Sequence, residues 1–165
     1  KVREITSFNL LFEAVSSLPD GQRPPIIIRG DGTEIESVKL LAEKFPKANV
    51  DFFGKFSHHQ LPEMMSKISL MFAMYSPDRG NIHDGAIPSK MFEAAAYGRP
   101  SIVNANTPMG LMCEMENLGL SVQWNDVQGL VDAIIQLEQI KTQLTIDEER
   151  EKTRFYEVIN QLEFE

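Results

Sequence analysis

A chain of 165 residues with 42% hydrophobic residues can bury one sizeable core, and its length fits a single domain. Its formal net charge of -8 and the lack of any basic stripe argue against a nucleic-acid backbone as partner, because such binding rests on clustered cations that release counterions. A single cysteine, Cys113, rules out an internal disulfide and supplies no zinc cluster, which fits a reducing compartment; no secretory leader opens the sequence and no apolar run reaches membrane-spanning length.

In chain order, Ile5, Phe8, Leu11, Phe12, Val15 and Leu18 recur at helical spacing, and Ile26 to Ile28 form a short apolar run bounded by prolines and glycines, so a helix precedes a buried strand. The alternation predicts a helix over 33–45, a strand over 50–53, a short helix over 61–67 and a strand over 70–75. It continues with a helix over 89–97, a strand over 101–103, a helix over 111–118, a strand over 121–124 and a helix over 127–140. This pattern predicts an α/β domain, a Rossmann-like, doubly wound parallel sheet with helices on both faces. The central strand expected ahead of the first helix is missing from the pattern, since 1–6 is too charged for a buried parallel strand. From Thr145 a capping-box pattern opens a charged helix through Phe155, Val158, Ile159 and Leu162. The division expected is one Rossmann-like domain over 1–140 with its C-terminal helix over 141–165.

The stretch from Gly85 to Pro100 is the most informative. It sets Pro88, Ser89, Lys90 and Glu93 on the first turns of one short helix. Proline is tolerated there because its missing N–H would be unpaired anyway, and the free N–H groups of Ser89, Lys90 and Met91 are anion donors. Lys90 adds a full charge. Residues three apart share a face, so Glu93 projects with Lys90, where its carboxylate can accept two ribose hydroxyls. Ala94 to Ala96 keep the helix thin against a sheet, Gly98 ends it, and Pro100 blocks its continuation.

The run from Ile87 to Glu93, followed by Ala96 to Pro100, resembles the signature of group 1 glycosyltransferases, the retaining family 4 with the GT-B fold. Two further stretches support the resemblance in the correct order. Pro25 to Gly32 is similar to the family's strand and G-D-G turn, and Val50 to Phe56 to its next strand and loop. The likeness implies a donor-binding GT-B domain that takes a nucleoside diphosphate sugar, UDP-linked, as substrate, with no separate cofactor and no metal. It also implies a glycan or lipid-linked acceptor held by an N-terminal domain outside this chain, and a cytoplasmic setting with access to the inner membrane face through that half. The donor residues implied are Gly30, Gly32, Lys55, Phe56, Asp84, Gly85, Pro88, Ser89, Lys90 and Glu93, and no catalytic residue is assigned.

Two departures weaken the match. The family's second glutamate would fall at Gly85, with only Asp84 beside it. The lysine that the family uses on donor phosphates would fall at Glu4 or Thr6. A GT-B sugar-nucleotide 2-epimerase and a nucleotide-binding module without chemistry therefore stay open as alternatives. His58, His59 and His83 lack metal-ligand spacing, Met64, Met65, Met71 and Met74 read as core filler, and Cys113 as a packing residue.

Overall fold

A computed structural model describes residues 2–79, 89–140 and 148–161. In chain order it contains α1 (Thr6–Ser17), β1 (Ile26–Ile28), α2 (Ile35–Glu43), β2 (Val50–Phe52), α3 (Leu61–Ser66) and β3 (Met71–Ala73). These are followed by α4 (Ser89–Ala96), β4 (Ser101–Asn104), α5 (Pro108–Met115), β5 (Gly119–Val122), α6 (Val127–Ile140) and α7 (Glu148–Gln161). Three 3-10 turns, Pro46–Ala48, His58–Gln60 and Pro77–Arg79, lie in the connections.

Among the described residues every strand pairing is parallel, as the α/β alternation predicts, but the strands form two sheets rather than one. β1 pairs with β2, Ile26 facing Val50, while β3, β4 and β5 run side by side with Phe72, Ile102 and Leu120 in register. β4 is buried along its whole length, as a central parallel strand must be. Its alternating side chains feed two cores. Ile102 joins Phe12, Val15, Leu130 and Ile134 of α1 and α6 on one face, and Val103 joins Ala73, Met91, Met109 and Cys113 on the α4 and α5 face. The sheet is thus covered on both sides. Phe12 is fully buried and meets Phe8 and Phe45 at tilted and edge-on angles.

The sequence places α5 and β5 too late by about two to three residues. Thr107 is the reason for the first: its Oγ1 accepts from Gly110 N at 3.0 Å, and Pro108 fills the first helical position, an N-terminal signal stronger than the apolar spacing that suggested Leu111. Asn117 and Asn125, both with positive φ, then bracket β5 and leave Gln123 and Trp124 outside it. Gly98 closes α4 at φ +70, the left-handed position where a helix commonly turns off.

α7 is held to the end of α5 by charge. Arg154 reaches both oxygens of Glu116, at 2.7 and 2.8 Å, and Arg150 adds a third bond at 3.0 Å. The hydrogen bonds from Arg154 hold the Glu116 carboxyl below the usual carboxylate range. The capping pattern at Thr145 falls outside the described residues.

Candidate functional site

The C-terminal ends of β1 and β2 open into two loops that fasten each other. Gly30 N donates to Gly54 O at 2.7 Å, Lys55 pairs with Asp31 at 3.0 Å, and the Arg29 guanidinium lies 4.6 Å from the centre of the Phe53 ring. Gly30 sits at φ +132, open to no side chain but glycine's without strain. Gly32 is constrained differently. A Cβ there would lie 1.9 Å from the carbonyl oxygen of Val2, whose own N–H donates to Asp31 O at 3.0 Å. The second glycine of the turn therefore makes room for the segment at Val2. Phe56 projects with 39% of its surface exposed.

The end of β3 is more densely polar. Asn104, only 2% exposed, turns its side-chain amide onto Tyr75, accepting from Tyr75 N at 2.8 Å and donating to Tyr75 O at 2.9 Å. One residue on, Ser76 N donates to both oxygens of Glu4 at 3.2 Å, and the Ser76 hydroxyl accepts from Asp78 N at 3.2 Å. The Tyr75 ring carries two cations, Lys90 Nζ at 4.6 Å and the Arg79 guanidinium at 5.0 Å from its centre. Burial raises the Tyr75 phenol well above its ordinary range, so it stays protonated.

α4 begins beside this cluster, and its three polar side chains differ in what they do. Ser89 is exposed and Glu93 half-buried, and neither has a hydrogen-bond or ionic partner among the described residues. Lys90 is engaged. Its Nζ donates to Phe72 O of β3 at 3.0 Å, and although part of the side chain stays accessible, dense packing around the ammonium lowers its pKa to about 8. Repulsion from Arg79 adds to that effect, and Glu4 opposes it.

The model of the glycosyl transferases group 1 family matches residues 5–156, nearly the whole chain. The chain belongs to the group 1 glycosyl transferases. No curated protein matches it in sequence. Among solved structures it resembles WaaG, a glycosyltransferase involved in lipopolysaccharide biosynthesis, with a TM-score of 0.64 at 19% identity over 82% of this chain and 35% of that one. It also resembles a single-site mutant of S. aureus TarM, solved with fondaparinux, alpha-GlcNAc-glycerol and UDP, with a TM-score of 0.63 at 17% identity over 84% of this chain and 27% of that one. The catalytic domain of the Helicobacter pylori cholesterol-alpha-glucosyltransferase matches with a TM-score of 0.61 at 18% identity, over 84% of this chain and 83% of that domain. This group 1 chain thus spans about a third of the length of WaaG, and at these identities the likeness establishes the shared GT-B fold.

Of the residues expected to meet the donor, Ser89, Lys90 and Glu93 share the first turns of α4, and Gly30, Gly32, Lys55 and Phe56 share the paired loops after β1 and β2. Asp84, Gly85 and Pro88, with Asn81 and Ala86, lie outside the described residues. Among the described residues no group of three or more His, Cys, Asp or Glu side chains is arranged to hold a metal ion. No described helix is long and apolar enough to cross a membrane. Cys113 is buried, and that burial pushes its thiol up to about 11, so it stays protonated at neutral pH. The sequence reading missed Asn104, Tyr75 and Arg79. For Asn104 there was a signal: a polar residue that ends an otherwise apolar buried run needs a partner.

Proposed function

We propose that this chain is the nucleotide-sugar-binding domain of a retaining glycosyltransferase that moves a sugar from a nucleoside diphosphate, UDP, to a glycan or lipid-linked acceptor. The acceptor would be held by an N-terminal domain, which would also supply any contact with a membrane surface. The observation that carries this reading is the state of Glu93, a half-buried carboxylate on the second turn of α4 with no partner among the described residues. A carboxylate in such a place has acceptor capacity left for two ribose hydroxyls, and charge-assisted bonds of that kind contribute about 1.5–3 kcal/mol.

The rest of the chemistry follows from the start of the helix. The described part of α4 opens at Ser89, and the N–H groups and dipole of a helix start at that place would stabilise the negative charge that grows on the leaving diphosphate. The loops after β1 and β2 would hold the base through backbone groups and the exposed Phe56 ring. UDP in the TarM structure supports the choice of base. No divalent ion is needed, because the helix end does the neutralising.

Titration calorimetry with UDP, GDP, ADP and CMP tests the reading. UDP should bind most tightly, with or without a chelator. If no nucleotide binds, or if binding appears only with magnesium, the reading fails. Retention is tested with the two-domain protein by the anomeric configuration of the product. One observation favours binding without turnover by this chain alone: Glu4 or Thr6 stands where the family's phosphate-binding lysine would align, and Glu4 is committed to Ser76 N.

A further inference from the structure

Lys90 is the cation that the α4 run offers to an anion, yet its ammonium is already engaged. Its Nζ donates to Phe72 O at 3.0 Å, lies 4.6 Å from the centre of the Tyr75 ring, and gives up its proton near pH 8 because of dense packing. Arg79 stands on the same ring under opposite terms. Its guanidinium is half-buried, 5.0 Å from the ring centre, and its backbone N–H donates to Ser76 O at 3.1 Å. None of its side-chain N–H groups has a hydrogen-bond or salt-bridge partner among the described residues. Two carboxylates of this region are turned to Ser76 instead: Glu4 accepts from Ser76 N with both oxygens at 3.2 Å, and Asp78 accepts from the Ser76 hydroxyl at 3.1 Å.

A ring face holds a cation by its charge and leaves the N–H groups unused, so a guanidinium held in this way loses side-chain freedom while keeping its fork of donors. Tyr75 and Arg79 follow β3, which puts the pair past the carboxyl end of a parallel strand, the side on which open α/β sheets take their ligands. Lys90 on the same ring ties that place to the first turn of α4.

We propose that Arg79, rather than Lys90, is the cation that meets the phosphates of a nucleoside diphosphate on this chain, and that Tyr75 is the positioning residue that holds it there. A guanidinium can take two phosphate oxygens at once, and it stays charged throughout the range in which Lys90 is losing its proton. It would therefore stabilise the charge that grows on the diphosphate as the glycosidic bond breaks. That last role rests on the function proposed above; an anion seat at Arg79 does not.

Titration calorimetry with UDP and with inorganic pyrophosphate, each at about 0.05 and about 0.3 M salt, tests the assignment. Arg79→Gln should weaken both ligands at least about tenfold at low salt and flatten the dependence of affinity on salt. Lys90→Met should cost less, and Lys39→Gln, which removes an exposed charge on α2, should change neither ligand. Arg79→Lys keeps the charge without the fork and should fall between parent and Arg79→Gln. Tyr75→Leu should weaken both ligands and Tyr75→Phe should restore them, because the ring and not the phenol does the holding. An affinity within about twofold of the parent in Arg79→Gln, or a loss equal at both salt concentrations, would overturn the seat. So would a larger loss in Lys90→Met than in Arg79→Gln. Pyrophosphate held through Arg79 with no nucleotide bound would sink the proposed function and leave the seat standing. Nucleotide binding that Arg79→Gln does not weaken would do the reverse, and a parent that binds neither ligand would sink both.

Discussion

The loops after β1 and β2 hold each other, whereas the start of α4 holds part of its chemistry open. In the first region Lys55 is paired with Asp31 and Gly32 is pressed against Val2. In the second, Ser89 and Glu93 have no partner among the described residues, while Lys90 between them is drawn into the edge of β3. A motif gives residue types. Whether a side chain is available depends on what lies next to it, and three residues in one turn can differ in this.

Gly32→Ala is the most severe way to sharpen the contrast. Its Cβ would overlap the Val2 carbonyl, a backbone group that cannot swing aside, so the loss should be on the order of 3 kcal/mol or more in denaturant unfolding. If stability holds and only nucleotide affinity falls, Gly32 belongs with the open groups.

Lys90 supplies a pH test of nearly the same size. Its folded pKa of about 8 lies below the ordinary 10.5, so between those values the unfolded chain binds more protons and stability rises with pH; below pH 8 both states are protonated and the rise is absent. At about 1.4 kcal/mol per pKa unit, and allowing for partial solvation, the rise is on the order of 1–3 kcal/mol. Lys90→Met should flatten it in unfolding curves taken from about pH 7 to 10.5, and a slope unchanged by the substitution would place the ammonium in water.

Glu93→Ala should leave unfolding within about 0.5 kcal/mol of the parent and weaken UDP binding at least about tenfold by calorimetry. Unchanged affinity would remove the observation on which the function rests. Lys55→Ala is the smallest effect. The Asp31 pair is exposed, with 81% and 48% of the two side chains accessible, so its loss should cost less than about 1 kcal/mol and change UDP affinity less than about twofold.

The strands and helices were legible because their signals are local and agree: an isoleucine run for β1, a glycine stop for α4, six apolar positions at helical spacing for α1. The late placement of α5 came from weighing apolar period above the Thr107-Pro108 cap. The site was legible as a place and less so as a set of free groups. The spacing that puts Lys90 and Glu93 on one face is local, but nothing near Lys90 in sequence announces Phe72, which lies 18 residues away and meets it only through the fold. The split into two sheets was foreshadowed by the charged residues at 1–6, yet the use of Val2 and Glu4 as ties to Asp31 and Ser76 depends on long-range geometry that no local pattern encodes.

Asn104 has a bearing on how this region tolerates change. Its amide grips the peptide group of Tyr75 at both ends and ignores the phenol, so the chain leaving β3 is steered by one side chain acting as an extra rung of the ladder. The residue at 75 is therefore free to drift toward other rings or aliphatics without redirecting the loop, whereas even aspartate at 104, which keeps the size but loses the donor, would strand the Tyr75 carbonyl. Substitutions at 75 should therefore leave the course of the loop unchanged, whereas those at 104 should not.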